Sequence, residues 1–269
     1  MMQLFEQDIK TNDRQSSKGN QLKWKSGDVW YKADYTGYEG LAEYMVSHLL
    51  EYSTMARENY ILYDTEEIRY QQVRYTGCKS INFLQEGWQM ITLERLFQSY
   101  YGESLNKSIY SLKNPEERVR FTVEQVVRIT GLKEFGKYIS TLLTIDALFL
   151  NEDRHTHNIA VLLDNAGVYH YCPVFDNGSA LLSDTTMDYP MSAETESLLD
   201  KPRAKTFCTD FDEQLDAAER LYGKHIRFSF NRRDVEKLIS HELYYSDEIK
   251  QRVGYILQEQ RRKYAYLFE

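Results

Sequence analysis

The stretch that decides the fold is NEDRHTHNIAVLLDNAGVYHYCPVFDNGSALL, residues 151–182. Two apolar runs, IAVLL and VYHY, flank Asp-Asn-Ala-Gly at residues 164–167, which is typical of a β-hairpin. Oxygen-bearing side chains stand at both ends of this hairpin, namely Asp153, Asn158 and Asp176. Because a hairpin brings its ends together, we expect Asn158 and Asp176 to face each other.

These three side chains suit one kind of chemistry. Asn158 and Asp176 offer hard oxygen ligands of the kind that Mg²⁺ accepts, and magnesium keeps further positions for phosphate and water. Asp153, just outside that pair, is free to accept a proton from a hydroxyl group. Each residue alone is more often a turn former, so the prediction of a phosphoryl-transfer arrangement depends on their combination.

Composition limits the other possibilities. The chain has 269 residues, of which 42% are apolar and 14% aromatic, enough to fill a sizeable core. Its net charge of -8 disfavours direct nucleic-acid binding, which needs cationic side chains to hold phosphates. The three cysteines do not form a disulfide framework, and there is no leader-like or membrane-spanning apolar segment. We therefore expect a cytoplasmic protein that does not contact membranes.

The first part of the chain predicts a small β-rich lobe with one helix, residues 1–77. Residues 21–32 alternate polar and bulky residues around Ser-Gly-Asp, which predicts a hairpin. The period then changes to that of a helix at 38–52. Strands are expected at 59–64 and 67–75.

Residues 78–269 predict a larger and mostly helical lobe. Asn114 before Pro115 is typical of a helix start. Helices are expected at 91–101, 115–130, 134–150, 211–223 and 232–241 and after Ser246. One of these helices contains Asp146 among apolar residues, and we expect its carboxylate to accept hydrogen bonds from the backbone of the loop at 151–158.

The first lobe supplies candidates for contacts with ATP phosphates. Lys32 ends a predicted strand, and Glu39 and Glu43 lie one turn apart at the start of the next helix, so either could pair with Lys32. The segment SSKGN precedes the hairpin, where a phosphate-covering loop is expected. Its candidate residues are Ser16, Ser17 and Gly19.

NEDRHTHN followed by PVFDNGSALL resembles the HipA-like serine/threonine kinases, the toxin kinases of bacterial toxin-antitoxin pairs, in a short form without the extra N-terminal subdomain. The element Asp-Arg-His-x-x-Asn is more distantly similar to phosphatidylinositol kinases. The hairpin ending in Lys32 and the segment DKPRAKTF, residues 200–207, support the resemblance. It implies an α+β, bilobal protein-kinase-like fold.

The resemblance also implies roles for single residues. Asp153 corresponds to the catalytic base, Asn158 and Asp176 to the magnesium ligands, and Lys32 to the lysine that binds ATP phosphates. Glu39 is the preferred partner of Lys32, with Glu43 the second choice. The implied site of inhibitory autophosphorylation is Ser16 or Ser17.

The function expected on this basis is that of an ATP- and Mg²⁺-dependent protein serine/threonine kinase. The family suggests a toxin that phosphorylates a translation factor or an aminoacyl-tRNA synthetase, with a small DNA-binding antitoxin as partner. Two alternatives stay open: a small-molecule or phosphoinositide-like kinase, and a catalytically inactive kinase fold with a regulatory role. A zinc site is a further, less favoured interpretation of four residues, His155, His157, His170 and Cys172.

Overall fold

The computed structural model describes residues 2–4 and 21–268. The described chain forms two compact units, and each contains parts that are distant in sequence. The first unit comprises the described residues up to Phe83, the segment Asp176–Pro202 and the described residues from Arg227 onward. The second unit comprises Leu84–Phe175 and Arg203–Ile226. The boundary expected after residue 77 falls instead inside a strand of the first unit.

A five-stranded sheet forms the centre of the first unit, in the order β1-β4-β5-β3-β2. Strand β1 is parallel to β4, and the other neighbours are antiparallel. The expected hairpin at 21–32 is confirmed, with Gly27 in a left-handed conformation at its turn. The strands are β1 Met2–Gln3, β2 Lys23–Ser26, β3 Val29–Ala33, β4 Asp64–Tyr70 and β5 Val73–Ile81.

The two later strands start five to six residues after the places expected for them. The apolar residues that suggested a strand at 59–64 include Tyr60, Ile61 and Tyr63, which are buried although their backbone is not in a strand. Strand β4 instead begins at Asp64, and its buried residues, Ile68 and Tyr70, lie on either side of the exposed Arg69. The apolar residues at 60–63 therefore mark a buried segment that precedes the strand.

Helix α1, Glu39–Leu50, packs against β5 through two glycines. A Cβ atom added to Gly40 would lie 2.5 Å from the backbone carbon of Gly77 and 2.7 Å from the hydroxyl oxygen of Tyr245. Real Cβ atoms do not approach that closely, so only glycine at position 40 permits this helix to lie so near the strand.

The junction between β3 and α1 is held by the carboxylate of Asp34. This group accepts hydrogen bonds from the Gly40 amide at 2.6 Å, the Thr76 hydroxyl at 2.8 Å and the Tyr245 hydroxyl at 2.7 Å. Burial, and then the nearby carboxylate of Glu39, raise the pKa of Asp34 to about 7. The junction therefore contains a carboxyl group that titrates near neutral pH.

Two helices, α7 Arg232–His241 and α8 Asp247–Lys263, complete the first unit. The buried guanidinium of Arg252 in α8 donates hydrogen bonds to the carbonyl oxygens of Tyr189, Pro190 and Ala193. These bonds satisfy three backbone acceptors in a segment without regular secondary structure. The chain that follows Asp176 is thus anchored by a side chain from the last helix.

The second unit combines helices with a small sheet, in the order β6-β7-β8. The hairpin of residues 160–171 and the expected helices are confirmed, whereas α3 was not anticipated. The Asn114 side chain accepts a hydrogen bond from the Glu117 amide, as a helix cap does. The elements are β6 Gln89–Thr92, α2 Leu93–Tyr101, α3 Leu105–Tyr110, α4 Pro115–Thr130, α5 Phe135–Phe149, β7 Ala160–Leu163, β8 Tyr169–Tyr171 and α6 Phe211–Tyr222. Within the described residues, no helix combines the length and apolar character that crossing a membrane requires.

Replacement of Gly40 by Ala tests the close approach of α1 and β5. We expect the free energy of unfolding to fall by about 1–3 kcal/mol, because the added methyl group overpacks a contact with backbone atoms. Denaturant titration measures the change. Gly254→Ala is the matched control, since it too is a helical glycine but its added Cβ meets only the end of the Ile239 side chain at 3.4 Å. We expect Gly254→Ala to be neutral or stabilising by up to about 1 kcal/mol, and equal destabilisation by both changes would contradict the proposed packing.

The raised pKa of Asp34 predicts a pH-dependent stability. The pKa of this carboxyl group is about 7 in the folded protein and near its ordinary value in the unfolded protein. At any pH between these two values, folding is therefore accompanied by the binding of a proton. Its contribution to stability is therefore present at acidic pH and lost as pH rises through about 7. The quantity to measure is the difference between the free energies of unfolding of the native protein and of Asp34→Asn. We expect this difference to fall between pH 5 and 7 by up to about 1.4 kcal/mol per pH unit. Parallel pH profiles for the two proteins would show that Asp34 does not titrate in this range.

Candidate functional site

Lys32 lies on β3 and forms two short ion pairs. Its ammonium nitrogen is 2.6 Å from Oε1 of Glu43 and 2.7 Å from Oδ1 of Asp176. The aromatic ring of Tyr63 lies on another side, 5.1 Å from the same nitrogen. The Glu43 side chain is only 1% exposed, so its charge depends on this pairing. We refer to Lys32, Glu43 and Asp176 as the ion cluster.

The carboxylates of the ion cluster stabilise the protonated form of Lys32. Burial alone would lower the pKa of Lys32, but the carboxylates of Asp176 and Glu43 outweigh burial and raise that pKa well above its ordinary value. The ammonium group is therefore protonated throughout the physiological pH range. A permanently charged donor is the type of group that binds phosphate oxygens.

Glu43 also fixes the backbone beside Asp176. Its second carboxylate oxygen accepts a hydrogen bond of 2.9 Å from the amide of Asn177. Asp176 itself has a φ of 60°, a left-handed conformation that Asp and Asn adopt more readily than most residues. One glutamate thus sets both the position of the Lys32 ammonium and the backbone direction at Asp176.

The preferred choice of Glu39 as the partner of Lys32 is wrong, and the second choice, Glu43, forms the ion pair. The Glu39 carboxylate turns back toward the loop before α1 and accepts hydrogen bonds from the amides of Thr36 at 2.7 Å and Gly37 at 3.1 Å. It also accepts one from the Thr36 hydroxyl at 2.8 Å. These donors belong to the loop that precedes the helix, so Glu39 supports the loop rather than the lysine.

In the second unit, the loop at 151–158 follows α5 and is built on a buried ion pair. Nε of Arg154 lies 3.1 Å from each carboxylate oxygen of Asp146. The side-chain amide of Asn151 donates a further hydrogen bond to Asp146 at 2.9 Å. Asp146 therefore accepts hydrogen bonds from side chains of the loop, and the expectation that backbone amides would donate to its carboxylate is wrong.

Arg154 holds the loop through its remaining donors. Its guanidinium donates to the backbone oxygens of Asn158 at 3.2 Å and of Phe175 at 2.7 Å. Phe175 directly precedes Asp176 in the chain. Arg154 is almost completely buried, so its role here is structural and it does not lie on the surface.

Asp153 is surrounded by polar groups of the same unit. The side-chain amide of Asn158 donates to the backbone oxygen of Asp153 at 2.8 Å and lies 3.4 Å from its Oδ2 atom. The ammonium of Lys205 lies 3.3 Å from Oδ1, and Nε2 of His155 lies 3.9 Å from that oxygen. Burial lowers the pKa of His155, so its imidazole is neutral at neutral pH. Sequence reasoning did not single out Lys205, although the segment DKPRAKTF contains it.

The structure leaves several predictions open. Whether Asn158 and Asp176 hold one metal ion together stays a prediction, and Ser16, Ser17 and Gly19 lie outside the described residues. In the part of the chain that the structure describes, no three His, Cys, Asp or Glu side chains are grouped as a metal site requires. The zinc interpretation is thus not supported. His170 instead pairs with Asp164 at 2.9 Å and stacks on Trp88.

Comparisons with known proteins establish the fold. No protein-family model matches the chain, and no curated protein matches it. Among solved structures, the chain is similar to one described as the Helicobacter pylori proinflammatory kinase CtkA, at 15% sequence identity. The similarity has a TM-score of 0.59 and covers 98% of this chain and 94% of the other one. At this identity the likeness shows the fold alone, and the predicted protein-kinase-like α+β fold is confirmed.

Proposed function

We propose that the protein is an ATP- and Mg²⁺-dependent kinase that phosphorylates a serine or threonine hydroxyl of another protein. The observation that carries this proposal is the ion cluster, in which a helix glutamate holds the ammonium of a strand lysine. In kinases this arrangement positions the phosphates of ATP. The kinase-like fold supports the same conclusion.

The chemistry of the ion cluster fits magnesium. Two carboxylates face one ammonium, so the three groups together carry a formal charge of -1. Asp176 offers oxygen ligands, and Asn158 offers its side-chain oxygen because its amide nitrogen already donates to Asp153. We propose Asp176 and Asn158 as the protein ligands. When bound, magnesium would offset negative charge on the ATP phosphates.

Asp153 is proposed as the proton acceptor. Its carboxylate takes the proton of the acceptor hydroxyl while that oxygen forms a bond to the γ-phosphorus atom. The bond between this phosphorus atom and the bridging oxygen breaks, and its electron pair leaves with ADP. The bonds from Asn158 and the anchoring of the loop by Arg154 keep Asp153 in place during this exchange.

The biological role proposed here rests on the resemblance to HipA-like kinases. We propose that the protein acts as the toxin of a toxin-antitoxin pair, in which it phosphorylates a translation factor or an aminoacyl-tRNA synthetase. A small DNA-binding antitoxin is the proposed partner. Autophosphorylation at Ser16 or Ser17 is the proposed means of shutting the enzyme off.

Asp153→Asn tests the chemical step. We expect the rate of phosphate transfer to fall by about 10²–10⁴-fold, because an amide cannot accept the proton. Binding of ATP with magnesium should persist, since Asp153 does not belong to the ion cluster, and a thermal-shift titration measures it. Transfer at the native rate by Asp153→Asn would exclude Asp153 as the base.

Quantitative phosphoproteomics of cells that express the native protein or Asp153→Asn identifies the target. Cells that express the native protein are compared with cells that express Asp153→Asn at equal levels. A phosphorylated serine or threonine that depends on Asp153 in a translation protein supports the proposed role. Phosphorylated peptides containing Ser16 or Ser17 support autophosphorylation, and labelling of small metabolites or lipids alone would contradict protein kinase activity.

Glu43→Gln and Glu39→Gln form a matched pair that tests the ion cluster. Both substitutions remove one carboxylate from the same helix, but only Glu43 contacts Lys32. We expect Glu43→Gln to weaken binding of ATP with magnesium by about 10- to 100-fold, the loss of one charged hydrogen bond. Glu39→Gln should keep the dissociation constant within about twofold of the native value, because its hydrogen-bond partners lie in the loop before α1 and do not include Lys32. Calorimetric titration measures both, and a larger effect of Glu39→Gln would contradict the assignment.

A further inference from the structure

Lys205 has an unusual environment for an exposed lysine. Its side chain is 42% exposed, yet its ammonium lies 3.3 Å from Oδ1 of Asp153, whose side chain is only 9% exposed. Lys205 therefore places a positive charge beside the carboxylate of Asp153.

The backbone around Lys205 is anchored on both sides. The amide of Arg203 donates to the Glu152 carboxylate at 2.9 Å, and the hydroxyl of Thr206 donates to the backbone oxygen of Arg154. The Tyr110 hydroxyl donates to the carbonyl oxygen of Lys205 itself at 3.0 Å. The segment at 203–206 is thus tied to the loop that contains Asp153, and Lys205 projects from a fixed position.

A contribution to folding stability does not explain why Lys205 lies beside Asp153. An ion pair with a partly exposed lysine contributes between zero and about 1 kcal/mol, because water screens the charges and the side chain loses freedom. Buried neighbours already anchor the segment, since Ala204 and Thr206 are each 1% exposed. A role in the reaction explains why an ammonium group stands beside the proposed base.

We propose that Lys205 is a catalytic residue whose ammonium group leaves Asp153 and binds the phosphoryl group as it is transferred. This inference rests on the proposed kinase function. Before transfer, the ammonium offsets the charge of the Asp153 carboxylate. When Asp153 takes the proton of the acceptor hydroxyl, its carboxyl group becomes neutral and attracts the ammonium less strongly. In the transition state negative charge is spread over the three phosphoryl oxygens, and the ammonium turns to them.

The step is balanced in atoms and charge. The acceptor oxygen gains a bond to phosphorus and loses its proton to Asp153, while ADP leaves with the electron pair of the broken bond. Lys205 exchanges no proton in this step, and its ammonium donates one hydrogen bond, first to the carboxylate and then to a phosphoryl oxygen. Because the second bond strengthens in the transition state, Lys205 acts on kcat more than on the binding of ATP.

Three variants test this proposal with the full-length protein. We expect Lys205→Ala to lower kcat by about 100-fold, as the loss of one transition-state donor does, with KM for ATP changed less than about threefold. Lys205→Arg should recover most of the rate, because it keeps a cation at the same place. Lys133→Ala, a change at an exposed lysine of the same unit, is the control and should match the native protein.

Chemical rescue separates catalysis from structure. Propylammonium matches the part of the side chain that Lys205→Ala removes, and it should raise kcat of this variant at least tenfold without affecting Asp153→Asn. A native kcat for Lys205→Ala would overturn the proposal. So would a lower melting temperature with no recovery by Lys205→Arg or propylammonium, which would indicate a structural role. If the native protein itself transfers no phosphate from ATP, the proposed function fails and this inference fails with it.

Discussion

The ammonium of Lys32 is shared by two carboxylates, and the first unit is organised around this requirement. A charge with little access to water is tolerated only if partners of opposite charge are held at bonding distance. The partners come from α1 and from the chain after β8, while Lys32 comes from the sheet. Two consecutive elements, β3 and α1, and a segment far along the chain must therefore meet at one nitrogen atom.

The need to bring both carboxylates to Lys32 also explains features of the packing and of the backbone. Helix α1 can place Glu43 at Lys32 only if it lies close to the sheet, and the contact between Gly40 and Gly77 permits that distance. The left-handed conformation of Asp176 then directs the next amide, that of Asn177, to the second oxygen of Glu43. Packing and backbone geometry thus serve the ion cluster, and the charged groups in turn fix the packing.

The sequence predicts the elements of this fold better than their contacts. Alternation around Gly27, and the cap formed by Asn114, are local signals, and the hairpin and the helix they predict are confirmed. The choice between Glu39 and Glu43 could not be made from periodicity, because residues four apart lie on the same helix face. The contacts of Glu39 with the amides of Thr36 and Gly37 in the preceding loop decide the choice, and they are visible only in the structure.

The contact between Lys205 and Asp153 also could not be predicted from the sequence, but the reason is different. These residues are 52 positions apart, and their contact depends on hydrogen bonds that tie the segment at 203–206 to the loop at 151–158. Neither local propensity nor hydrophobic pattern encodes such a connection, because its donors and acceptors are mostly single polar groups and backbone atoms.

The charge balance of the groups separates structural from chemical roles. Arg154 and Asp146 form a pair with equal and opposite charges that is closed off from water, and a balanced buried pair is suited to holding a loop in one conformation. The ion cluster instead has two carboxylates for one ammonium, so its own members leave one negative charge to be offset. A divalent cation offsets that charge, whereas the Arg154 pair has no net charge for a cation to offset. The unequal charges of the ion cluster therefore favour a binding role, and the equal charges of the Arg154 pair favour a structural one.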